Sequence, residues 1–198
     1  MIYSLLILLL ALSCSDTVPL SEGFQKSLVE AAKDRLNYNI SYDGRYIKIP
    51  YPNGDIPSNI GVCTDLIIRS FRKLNIDLQK LVHEDMKKNY HVYPSKKIWG
   101  LKSPDTNIDH RRVPNLQTFF TRMGSSLAIT KKAQNYKPGD IVTWDIAGRS
   151  PWHIGIVSDK ISNITGNPLI IHNMGRGPII NDMLFKFKIT GHYRYSRE

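Results

Sequence analysis

The sequence predicts an α+β fold. Apolar residues recur at helical spacing from Ser21 to Gly124, and the last third switches to short β-rich runs between turn residues. Helices first and consecutive short strands later place an N-terminal helical layer on an antiparallel sheet. An apolar share of 41%, with aromatics spread along the chain, supplies the core that such a fold needs.

The chain opens on a leader, residues 1–13, whose run Ile2 to Leu12 is almost wholly apolar. A membrane-spanning helix needs roughly 20 apolar residues, so this run has the length of a signal-peptide core instead. Ala11-Leu12-Ser13-Cys14 resembles a bacterial lipoprotein processing site, which implies acylation of Cys14 and anchoring to a membrane. Residues 14–20 read as a tether, and 21–198 as a single domain with a real core. The expected location is the periplasm, free or as a membrane-anchored lipoprotein.

Within the domain, Phe24, Leu28, Ala31, Ala32 and Leu36 make the stripe of a helix over 21–37, with Ser21 as N-cap. Tyr42 to Tyr51 has extended character and runs into the turn-rich Pro50-Tyr51-Pro52-Asn53-Gly54-Asp55. A second helix starts after Cys63 and buries Leu66, Ile67, Phe71 and Leu74. Asp77 caps a third over 78–88, and Pro114 starts a fourth that Gly124 ends. Strands are expected at 140–146, 153–159, 169–174 and 190–195.

Composition narrows the function. The net charge is +10, from 27 basic and 17 acidic residues, which favours anionic surroundings through steering. For an exported protein these are peptidoglycan or another anionic envelope polymer. The charges are scattered and no nucleic-acid motif is visible, so nucleic acid is not expected as a partner. The histidines show no paired ligand spacing, and no phosphate-cradling or dinucleotide glycine loop occurs. No metal and no cofactor are expected, and the chain reads as a monomer.

After removal of the leader, Cys63 is the one cysteine besides the acylated Cys14. A lone thiol has no partner for an internal disulfide. Its place ahead of an apolar helix suggests a nucleophile whose pKa the helix N-terminus lowers. Backbone amides there suit an oxyanion. His153, heading a strand, is the candidate base, and a third polar group must orient it. His172 fills that place best, and Asn173 lies beside it on the opposite strand face. Asp109-His110-Arg111-Arg112 is a polar cluster just before a helix. Either Arg111 or Arg112 could fork onto a substrate carboxylate. Arg176, between Gly175 and Gly177, is a similar candidate near His172. Asp65 reads as a helix cap, and Tyr51 as a hydroxyl lent to the oxyanion site.

These segments carry a resemblance. Cys63 before its apolar helix, Pro138-Gly139-Asp140-Ile141-Val142 and His153-Ile154-Gly155-Ile156-Val157 resemble the NlpC-type, papain-like cell-wall cysteine peptidases. More closely, the chain resembles a bacterial exported family catalogued as a domain of unknown function. The carriers are Ile49-Pro50-Tyr51-Pro52-Asn53-Gly54, Gly61-Val62-Cys63-Thr64-Asp65, the stretch from Asn107 to Leu116, and Ile171-His172-Asn173-Met174-Gly175-Arg176-Gly177. The wider family places Asp-Cys-Ser-Gly around its nucleophile, whereas Val62 and Thr64-Asp65 flank Cys63 here. The resemblance implies a papain-like core and hydrolysis of amide bonds in peptidoglycan stem peptides, with Cys63 attacking, His153 moving the proton and His172 orienting it. Two alternatives are a non-enzymatic envelope-binding module on the same fold and a lipid or thioester acyl-hydrolase.

Overall fold

The structure, a computed structural model, describes residues 20–147 and 152–196. The leader, Cys14 and the tether up to residue 19 lie outside the described residues. Helix α1 spans Leu20–Asp34 and tightens into a 3-10 turn, Arg35–Asn37. A two-residue strand β1, Ser41–Tyr42, pairs in parallel with β2, Ile60–Gly61. Helix α2, Cys63–Lys73, comes at once, then α3, Leu78–Asn89, whose first turn is capped by the Asp77 carboxylate. A short α4, Ser95–Trp99, and a 3-10 turn, Asp109–Arg111, lead to α5, Val113–Arg122. Gly124, at φ 68°, ends that last helix in the left-handed region that only glycine enters cheaply.

The remaining strands form one antiparallel sheet in the order β6-β5-β4-β3-β7. Their ranges are β3 Ile141–Asp145, β4 Trp152–Ile161, β5 Pro168–Asn173, β6 Pro178–Asn181 and β7 Lys188–Tyr193. One face carries Ile141, Ile154, Ile156, Ile171 and Tyr193 against Leu28 of α1, Leu66, Ile67 and Phe71 of α2, and Phe119 and Phe120 of α5. The other face carries Val142, Trp144, Val157 and Ile170 beneath Tyr136, Met183 and Leu184. The period-2 alternation of strands does this sorting: His153 and Gly155 share the second face, Ile154 and Ile156 the first.

Three element expectations need correction. The extended stretch from Tyr42 to Tyr51 contributes only Tyr42 to a strand, the second residue of β1. The residues after Tyr42 form a loop, fastened by side chains instead of a ladder, with the Ile49 amide donating to Asn107 Oδ1 at 2.9 Å. The first helix begins at Leu20, ahead of Ser21. The last strand sits at 188–193, and β6 is an additional strand that Gly177 and Pro178 disguise as a turn. Among the described residues no helix is long and apolar enough to cross a membrane.

Candidate active site

Cys63 is the first residue of α2, and Val62 before it is extended at φ −115° and ψ −173°. Several side chains pin this corner. Asp65 Oδ2 accepts the Val62 amide at 2.7 Å, closing the first turn of the helix. Thr64 Oγ1 donates to the Arg111 carbonyl at 2.9 Å, and Asn173 Nδ2 donates to the Gly61 carbonyl at 3.2 Å. The Asp65 carboxylate also takes a two-pronged ion pair from Arg111, with Nε at 2.8 Å from Oδ1 and Nη2 at 3.0 Å from Oδ2.

The sulfur meets the Tyr42 hydroxyl and the backbone amides of Thr64 and Ile154. The Ile154 amide belongs to the peptide bond that joins it to His153, so the thiol reaches β4 next to the candidate base. Burial of the sulfur pushes its pKa up to about 12, with the nearby Asp65 charge adding to the effect against the amide and hydroxyl contacts. The lowered pKa expected from the helix N-terminus is therefore corrected. Partial charges of the helix end act over a fraction of the range that full desolvation covers. Partial desolvation, with Cys63 beside it, raises the Tyr42 phenol although the residue is 44% exposed.

His153, His172 and Asn181 form a chain across three strands. His153 Nε2 lies 3.0 Å from His172 Nδ1, and His172 Nε2 lies 3.0 Å from Asn181 Oδ1. The Asn181 carbonyl can only accept, so His172 carries its proton on Nε2 and offers Nδ1 to the Nε2–H of His153. The lone pair of His153 then sits on Nδ1, and the ring lies with Trp144 on the sheet face opposite the one against which Cys63 packs. Both imidazoles are neutral: burial holds His153 down to about 3, with His172 reinforcing it, and burial lowers His172 as well. The His153 ring packs on Trp144, centroids 6.1 Å apart. Among the described residues, the thiol and the imidazole are not hydrogen-bond partners of each other.

Sheet register explains the histidine contact. His172 stands directly opposite Gly155 on β4, and His153 is the next residue on that face. A glycine there lets the two rings lean together. A Cβ on Gly155 would lie 2.6 Å from Ile170 Cγ2, 3.0 Å from the Ile171 carbonyl oxygen and 3.1 Å from His172 Cβ. Gly155→Ala is expected to cost about 1–3 kcal/mol by overpacking. Urea denaturation checks the loss, and the His172 ring resonances in NMR should move with it.

A groove of about 530 Å³ opens over this corner, lined by Tyr42, Tyr46, Cys63, Trp99, Ile108, Arg111, Arg112, Pro114 and Trp152 among others. Of the sequence-chosen residues, Asp109 is buried, and burial raises its carboxyl to about 6. Arg111 is committed to Asp65 and to the carbonyls of Asp43 and Arg45. Arg112 lies over Trp99, 4.1 Å from the ring centre, and donates to Asp109 at 3.2 Å. Tyr51 instead packs edge-on against His83, and the hydroxyl at the sulfur belongs to Tyr42. Arg176 is exposed on the β5–β6 turn and does not line the groove. Sequence reasoning missed Tyr42, Trp99, Trp152 and Asn181. Asn181 carried no readable signal, since Pro178-Ile179-Ile180-Asn181 shows no alternation in sequence. Among the described residues no group of three His, Cys, Asp or Glu side chains could hold a metal.

A cysteine opening a helix that packs on a five-stranded antiparallel sheet, with further helices in the same layer, defines an α+β protein of papain-like core. The chain belongs to the family described as "Domain of unknown function (DUF1287)", whose model matches residues 29–195. It is 46% identical over 169 residues to the Escherichia coli K12 "Uncharacterized protein YijF", covering 85% of this chain and 80% of that one. A crystal structure of an N-acetylmuramoyl-L-alanine amidase from Bacteroides uniformis superimposes with a TM-score of 0.52 at 12% identity, over 87% of this chain and 99% of the amidase. NlpC1 and NlpC2 of Trichomonas vaginalis, each 14% identical, give 0.45 and 0.47. The match covers 88% and 93% of this chain but only 44% and 49% of theirs, under half the length of either.

Proposed function

We propose that this protein is an NlpC-type cysteine hydrolase of the bacterial cell envelope that cleaves amide bonds in peptidoglycan stem peptides. One observation carries the reading: Cys63 opens α2 at the groove with its sulfur meeting the Tyr42 hydroxyl and the amides of Thr64 and Ile154, and His153, whose lone pair His172 and Asn181 set on Nδ1, is the neighbour of Ile154 on the other face of β4. In the proposed reaction the His153 ring, which rests on the Trp144 face of the sheet, turns at the start of β4 toward Cys63. Cys63 Sγ attacks the substrate carbonyl as its proton passes to His153 Nδ1. The amides at the sulfur and the Tyr42 hydroxyl receive the oxyanion. Collapse breaks the C–N bond, and the leaving amine takes the proton from His153. Water, deprotonated by the same imidazole, then hydrolyses the thioester. The fold shared with an enzyme named as an amidase supports the class, and the leader and net charge of +10 support an envelope setting with an anionic polymer.

The test is digestion of purified peptidoglycan by the chain lacking residues 1–14, beside its Cys63→Ala counterpart, with products read by mass spectrometry. New stem-peptide fragments from the wild type alone are expected, and they name the bond. A second reading, the envelope-binding module, draws on the neutral, buried thiol that shares no hydrogen bond with His153. It predicts that both proteins sediment with the wall and leave it intact.

A further inference from the structure

Twelve of the described residues line the groove above Cys63, and only two of them, Arg111 and Arg112, bear a charge; no carboxylate is among them. The two arginines are neighbours with opposite circumstances. Arg111, its side chain 2% exposed, has Nε and both terminal nitrogens engaged by Asp65, Asp43 and Arg45. Arg112 keeps 18% of its side chain exposed and makes one hydrogen bond, from a single Nη1 to Asp109 Oδ1. Its flat face rests on Trp99, which in turn meets Trp152 edge-on at 6.0 Å. The guanidinium thus lies against an aromatic wall at the groove, and only one of its N–H donors has a hydrogen-bond partner among the described residues.

Resting on the groove being the ligand site, as proposed above, we infer that Arg112 is the residue that reads the ligand, and that it selects peptides bearing a free carboxylate beside the bond over Cys63. Asp109 acts as the internal placeholder. It is buried, fixed by the Asp105 amide and by Asn115, and offers Arg112 only one oxygen at 3.2 Å. A ligand carboxylate can take the remaining donors as a two-pronged pair without displacing it, the geometry that guanidinium favours and ammonium cannot reproduce. Among the described residues the groove offers no other free cation for the task.

Two synthetic stem peptides test this, identical except that one carries a free carboxylate and the other a carboxamide on its acidic residue. Binding is measured by calorimetry to Cys63→Ala, so that no turnover is needed. The carboxylate peptide is expected to bind roughly tenfold or more tightly. Adding Arg112→Gln should bring the two affinities within about twofold, and Arg112→Lys should retain only part of the preference. Equal affinities in the parent, no binding of either peptide, or the full preference surviving in Arg112→Gln or in Arg112→Lys would each overturn the inference. Failure of the wall digestion alone would strike the hydrolase and leave this preference standing.

Discussion

At neutral pH, iodoacetamide should label Cys63 roughly a thousandfold more slowly than an open cysteine, because alkylation follows the thiolate fraction. The structure displaces the thiol from 9.0 to about 12, with burial as the leading cause. The sign is fixed by what burial penalises. The charged sulfur loses its hydration, so the proton is held more tightly and the nucleophile is scarce. The labelling rate should therefore climb about tenfold per pH unit well past pH 10, with no shoulder near neutrality. A thiolate paired with imidazolium would give the opposite profile, a plateau from mildly acidic pH upward. His153, held down to about 3, is poorly suited to be that cation. Stopped-flow labelling across pH, with the urea-unfolded chain as the reference, decides between the profiles. A neutral plateau would show that the resting site is an ion pair after all.

Asp65→Ala is expected to remove about 3–5 kcal/mol of stability, the cost of leaving one member of a buried ion pair alone. Exposed pairs are worth only about 0–1 kcal/mol, but here the two side chains are 4% and 2% exposed. The substitution strands the Arg111 guanidinium and also frees the Val62 amide that Asp65 holds. Urea denaturation measures the loss, and a change below about 1 kcal/mol would mean that water reaches the pair. Removing both charges, as Asp65→Leu with Arg111→Met, should recover much of the deficit, since well-packed apolar replacements of buried pairs are often neutral. The corner that presents Cys63 should be loosened in the single variant and restored in part by the second change.

The layering was legible because it rests on local pattern, and the same patterns singled out Cys63, His153 and His172 as candidates. His153-Ile154-Gly155-Ile156-Val157 alternates, and Leu66, Ile67 and Phe71 repeat at helical spacing. The features that escaped depend on partners distant in the chain. Tyr42 reaches the sulfur through a parallel bridge of two residues, Ser41 to Ile60 and Tyr42 to Gly61, which leaves no period to detect. Asn181 meets His172 only through the register of β5 against β6. Arg111 and Arg112 look alike in sequence. A 3-10 turn ending at the first and an extended second residue, φ −109° and ψ 117°, send one inward and leave the other at the groove. The raised pKa of the thiol is hidden for a related reason: a helix start is visible in sequence, and burial of the sulfur is not.

The histidine chain ends on β6, four residues long, at the edge of the sheet, where Asn181 is exposed while His153 is 1% exposed. Short edge strands open by local fluctuation at far lower free energy than central ones. Amide exchange should accordingly run fastest in β6 and slowest in β3 and β4. Each opening releases the His172 ring from its outer anchor while the inner histidine stays packed on Trp144. The orientation of the imidazole is thereby tied to breathing at the rim of the sheet, and a partner strand laid along β6 would quiet that motion.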